Sequence, residues 1–183
     1  MKIVNMNTLS KPQLTQAAQM LTDELPLGWP TLADAADEVD MLLNDEDEPD
    51  ALFLAAVEDD TIIGWCGMLP EYNGNVFELH PLVVRHDRQG EGVGRKLLIE
   101  IEKAAKAKGG LTLYIGADDE APNGETSFAN ADLYDDLPKR IKEFEPGTHQ
   151  TAFYLKQGFK VVGVVPDANG KGKPDIKLAK SLQ

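Results

Sequence analysis

Apolar residues recur at helical spacing at Leu14, Ala17, Ala18, Leu21 and Leu25, and Ser10 stands where an N-cap belongs. This predicts a helix after an edge strand at Lys2 to Asn5. Pro26-Leu27-Gly28-Trp29-Pro30 breaks it, and Thr31 opens a second helix through Val39, Leu42 and Leu43. Two apolar runs, Ala51 to Val57 and Thr61 to Leu69, flank Glu58-Asp59-Asp60 and read as a hairpin. Tyr72-Asn73-Gly74-Asn75 supplies the next turn, so Val76 to Val84 is the third strand of a meander. A helix from Gly92 to about Ala107, with Val93, Leu97, Ile101 and Ala105 on its apolar face, then leads to a strand at Leu111 to Ile115.

Residues 117–147 are polar and weakly patterned, with a short helix expected around Pro138 to Glu145. Thr148 to Lys156 reads as a helix ended by Gly158, and strands follow at Phe159 to Val165 and Asp175 to Ala179. The order predicts an α/β (α+β) chain: a mixed, mostly antiparallel central sheet with helices on both faces. With 183 residues and no linker or repeat, one domain over 1–183 is expected.

Composition narrows the partners. The formal net charge of -13 argues against nucleic acid and favours cationic ligands. The acidic run Asn44 to Asp50 itself reads as a solvated loop. No apolar run approaches the roughly 20 residues of a membrane helix, and the N-terminus is too polar for a signal peptide, so a soluble cytoplasmic protein is expected. The single cysteine, Cys66, lies in a packed strand and reads as structural. His80, His86 and His149 lack the spacing of partnered metal ligands, so no metal is expected.

The candidate chemistry lies in one strand-loop-helix unit. After Glu78-Leu79-His80-Pro81-Leu82-Val83-Val84 comes Gln89-Gly90-Glu91-Gly92-Val93-Gly94 at the start of a helix. Three glycines in six residues let consecutive backbone N–H groups turn towards an anion, and the helix start adds free N–H groups and its dipole. Such a turn suits a pyrophosphate. It is not a P-loop, because Arg95-Lys96-Leu97 follows Gly94, and its glycine spacing differs from the dinucleotide-binding fingerprint.

Gln89, Gly92 and Gly94 resemble motif A of the GCN5-related N-acetyltransferases (GNAT). Within that superfamily, Glu78 to Val84, Gly109 to Asp119, Asp132-Leu133-Tyr134, Phe153 to Phe159, and Pro166 to Gly170 with Lys173 to Ile176 resemble aminoglycoside 6'-N-acetyltransferases, over nearly the whole chain. The resemblance implies a GNAT fold, acetyl-CoA as cosubstrate, a cationic aminoglycoside as acceptor, antibiotic resistance and a homodimer.

It also implies roles. Leu82, Val83, Val84, Gln89, Gly90, Glu91, Gly92, Val93, Gly94, Arg95 and Tyr154 would bind the cofactor. Glu78 would act as base or orienting carboxylate, directly or through water, and His80 would relay a proton or position a ligand. Leu82 would offer its backbone N–H to the thioester carbonyl. Tyr154 would stand near the departing sulfur, with Phe153 left to fill the core. Trp29, Tyr72, Glu78, Asp118 and Asp119 are the expected substrate contacts, Trp29 reading equally well as a core plug. Two alternatives stay open: another cationic acceptor such as a polyamine or peptide amine, and a CoA-binding regulatory module without chemistry.

Overall fold

Ser10 and Thr31 start the first two helices as their side chains predict. Ser10 and Gln13 form a reciprocal capping box ahead of α1 (Lys11–Glu24), and the Thr31 hydroxyl accepts the Asp34 N–H ahead of α2 (Leu32–Asn44). The computed structural model describes residues 1–183 and divides into two units, residues 1–111 and 112–183.

In the first unit β1 (Lys2–Asn5), β2 (Leu52–Glu58), β3 (Thr61–Glu71) and β4 (Val76–Val84) form an antiparallel meander. Asp59 and Asp60, with φ of 47° and 63°, make the two-residue β2–β3 turn that matches strand twist. Trp65 on β3 packs with Ala17, Leu21, Val39 and Val83 and donates its indole N–H to Ala17 O at 3.1 Å, which fixes α1 and α2 on that face. Successive strand residues point to opposite faces, so Gly64 turns to the other side. A Cβ there would stand 3.0 Å from Val93 and 3.3 Å from Leu97 of α3 (Val93–Ala107). Helices therefore cover both faces of this sheet.

The second unit holds β5 (Thr112–Asp118), α4 (Leu137–Lys142), α5 (Thr151–Lys156), β6 (Lys160–Val165) and β7 (Asp175–Ser181), with β7 antiparallel to both β5 and β6. Its apolar interior includes Leu113, Ile115, Phe128, Tyr154, Phe159, Ile176 and Leu178.

Several boundaries differ from the sequence reading by up to three residues, among them β3, which runs on to Glu71, and α4, which ends at Lys142. β5 runs on to Asp118 and β7 to Ser181, because the two strands pair along their full length, Thr112 opposite Ser181 and Asp118 opposite Asp175. The helix expected from Thr148 starts at Thr151. Before it, the His149 N–H bonds to Pro146 O and the Thr148 hydroxyl to Glu125, which holds Thr148 to Gln150 in a turn.

Candidate active site

β4 carries the densest set of predicted residues, and its geometry depends on one extra residue. Leu69 pairs with Glu78 and Met68 with Leu79, but two residues earlier on β3 Cys66 pairs with Leu82, three residues later on β4. The surplus residue forms a bulge around the cis-linked His80-Pro81. Pro81 has no N–H to give a ladder, and prolines inside sheets sit at such irregularities. Gly67 makes the bulge possible: a Cβ there would come within 2.3 Å of His80 O and of the Phe53 ring.

Paired residues share a face. Leu69 packs on the α1–α2 side, so Glu78 lies on that side, whereas Leu79 and Leu82, opposite Met68 and Cys66, both lie on the α3 side. His80 faces α2: its Nε2 is 3.1 Å from Oε1 of Glu38, and its ring centroid is 6.0 Å from that of Trp29. The structure thus brings Trp29, Glu78 and His80 to one side of β4.

Trp29 is half-buried and packed against the α1–α2 core, so it both plugs the core and borders this site. Tyr72 stands in the β3–β4 turn at 76 % exposure. It is the first of three consecutive left-handed residues, with φ of 50°, 57° and 78° at Tyr72, Asn73 and Gly74. A bulky residue in that region costs about 1 kcal/mol. The turn is held by the Asn75 side chain, which donates to Tyr72 O at 2.9 Å.

The glycine turn has the predicted form. Gly90 and Gly92 have φ of +79° and +83°, and a Cβ at either would meet nothing within 4 Å, so the turn opens outward. Gly92 is the N-cap of α3 and supplies no side-chain cap, leaving the first N–H groups of a 15-residue helix for an anion. These features fit the pyrophosphate of a coenzyme A donor.

The side chains around the turn mostly bind one another. The Gln89 amide donates to Val84 O at 3.0 Å and to Glu24 at 3.2 Å, and Glu24 also accepts the His86 N–H at 2.7 Å. Gln89 therefore braces the turn with its side chain. Arg85 grips Asp87, and Arg88 bonds Glu58 and Glu91 at 2.8 Å each. The hydrogen bond from Arg85 holds Asp87 below the usual carboxylate range, and Arg88 does the same for Glu58. Both guanidinium charges are locally offset, so attraction for a diphosphate falls to the backbone N–H groups and to exposed Arg95 and Lys96 in the first turn of α3.

The second unit separates two neighbours that the sequence reading grouped. Asp118 is exposed and accepts from the Asn169 amide at 2.5 Å. Asp119 is fully buried, and its two oxygens accept N–H bonds from Glu125 (2.9 and 3.1 Å) and Thr126 (2.8 Å). Its carboxylate closes the loop after β5, both oxygens taken up by backbone donors, where the sequence reading expected a substrate contact. His149, also buried, sets Nε2 3.0 Å from Asp118 O. The α5 expectation is reversed in one respect: Tyr154 is the buried residue, 2 % exposed, ringed by Phe153 and Phe159 at centroid distances of 5.1 and 5.6 Å, while Phe153 is half-buried.

Cys66 is fully buried, and that burial pushes its thiol far above the ordinary value, so it offers no thiolate nucleophile. Sequence reasoning missed Glu38 and Glu24. Glu38 sits among the acids of α2, which look like a solvated face, and Glu24 is the last residue of α1, where a lone acid carries no signal.

Comparison with known proteins places this geometry. Residues 14–124 match the model of the acetyltransferase (GNAT) family. An aminoglycoside 6'-N-acetyltransferase complexed with coenzyme A is 33 % identical, aligned over 100 % of this chain and 98 % of that one with a TM-score of 0.89. The aminoglycoside 6'-N-acetyltransferase from Enterococcus faecium gives 33 % identity, the same coverage and a TM-score of 0.88. An aminoglycoside 6'-acetyltransferase type Ii gives 31 %, the same coverage and 0.76. No curated protein sequence matches the chain. A family model spanning more than half of the sequence, and structures alike from end to end, leave one conclusion: the chain belongs to the acetyltransferase (GNAT) family.

Proposed function

We propose that the chain transfers the acetyl group of acetyl-CoA to the 6'-amine of aminoglycosides and so confers resistance to them. The observation that carries this reading is the acceptor side of β4. Glu78, His80 and the Trp29 ring lie on one face, and a polycationic amino sugar needs a carboxylate for its reacting ammonium group and an aromatic wall for its rings. End-to-end likeness to 6'-N-acetyltransferases at 33 % identity supports the same acceptor.

In this mechanism the glycine turn at Gln89 to Gly94 and the start of α3 hold the pyrophosphate, and Val83 and Val84 border the donor's arm. The Leu82 N–H, just past the bulge, polarises the thioester carbonyl. Glu78 takes a proton from the 6'-ammonium, directly or through water, and the freed amine attacks the carbonyl carbon. The new C–N bond forms as the C–S bond breaks, and the Tyr154 hydroxyl donates to the departing thiolate. The buried Cys66 thiol makes an acyl-cysteine route unfit.

The test is a panel of kanamycin-type compounds with and without a 6'-amine, assayed by coenzyme A release. Transfer confined to those with the 6'-amine is expected. Equal rates on both sets would defeat the acceptor assignment, and transfer to polyamines or peptides alone would replace it.

A further inference from the structure

Helix α2 carries four acids, Asp34, Asp37, Glu38 and Asp40, and three of them are exposed. Glu38 differs. It sits beside buried Val39, its side chain is only 19 % exposed, and it is 3.1 Å from His80 Nε2. A carboxylate held that close to a core needs a donor, and here the donor is the imidazole.

We infer that Glu38 is a positioning residue: it fixes the ring and tautomer of His80 so that Nδ1 serves as proton acceptor on the amine side of β4. Facing a carboxylate, which accepts hydrogen bonds, Nε2 is the nitrogen suited to carry the hydrogen, and in that tautomer the ring lone pair lies on Nδ1.

This inference rests on the acetyl-transfer reading above and gives its proton a route. The acceptor ammonium must lose two protons to become an amide, and one of them returns to the departing thiolate. The other has to leave. Nδ1 receives it through Glu78 or water, the imidazolium is stabilised by the Glu38 carboxylate, and the proton passes to solvent. The overall balance is ammonium plus acetyl-CoA giving acetamide, coenzyme A thiol and one released proton.

The experiment is a double-mutant cycle on the full chain with E38A, H80A and E38A/H80A, plus E38Q as a variant of equal size. Rates are measured with whichever primary amine the wild type acetylates best. Alongside go acetyl-CoA affinity, thermal midpoint and the imidazole ¹H–¹⁵N spectrum.

Expected results are a kcat about tenfold lower for E38A with acceptor KM and acetyl-CoA affinity nearly unchanged, and no further loss when E38A is added to H80A. E38Q, whose amide oxygen can still accept from Nε2–H, should recover part of the rate. The spectrum should show the Nε2–H tautomer in the wild type and mixed tautomers in E38A. Multiplying losses, an unchanged tautomer, or a loss seen only in the thermal midpoint would overturn the inference. Absence of transfer to aminoglycosides by the wild type would instead remove the acceptor assignment, leaving the Glu38 cycle readable on another amine.

Discussion

β4 and the end of β5 both carry acids, yet the two regions use carboxylates differently. At β4, Glu78 and the Glu38–His80 pair lie on a side-chain face of the sheet, and Glu38 bonds to another side chain. At β5, Asp119 is surrounded by the backbone N–H groups of the following loop, and both its oxygens are occupied. A carboxylate amid unpaired N–H donors holds the chain together, whereas one facing an imidazole orients a ring. Residue type alone does not separate the two.

The sharpest way to break this contrast is D119A. It strands two backbone N–H donors, those of Glu125 and Thr126, and should cost about 4 kcal/mol, read as a large fall in urea or thermal midpoint. A midpoint unchanged within error would mean that the loop does not depend on it. E78A should do the opposite, lowering kcat about a hundredfold while the midpoint and coenzyme A affinity stay put; a purely structural Glu78 would reverse that pattern. A milder effect is expected for D118N, next door to Asp119 but exposed, where loss of a screened charge should raise the acceptor KM about threefold. Unchanged KM would take Asp118 out of the acceptor site. The smallest effect concerns Cys66: the native protein should resist thiol alkylation and retain full activity under reagent, labelling only after denaturation.

Much of this was legible beforehand, and the failures have physical causes. The bounds of β4, the Asp59-Asp60 hairpin, both N-caps and the glycine turn depend on local chemistry, and they stand as expected. Asp118 and Asp119 differ only in which way the chain faces as it leaves β5, and that is decided by partners six and seven residues on. Tyr154 and Phe153 exchange their expected places because Phe159 packs on the tyrosine ring. Glu38 was hidden among four acids of one helix until the fold selected it. The bulge did leave a trace: Pro81 within an otherwise regular strand was a sign that the ladder is interrupted there.

The bulge at His80-Pro81 also bears on how such a chain can change over generations. On a regular strand, inserting or removing one residue would throw every later side chain to the wrong face. Here the irregularity already absorbs a residue, and it lies between Glu78–His80 and Leu82. A gain or loss of one residue at this point can therefore be taken up locally, without turning the side chains beyond Leu82 to the wrong face. The position least free to drift is Gly67, because any side chain there would run into His80 O and the Phe53 ring and close the irregularity that gives the strand this tolerance.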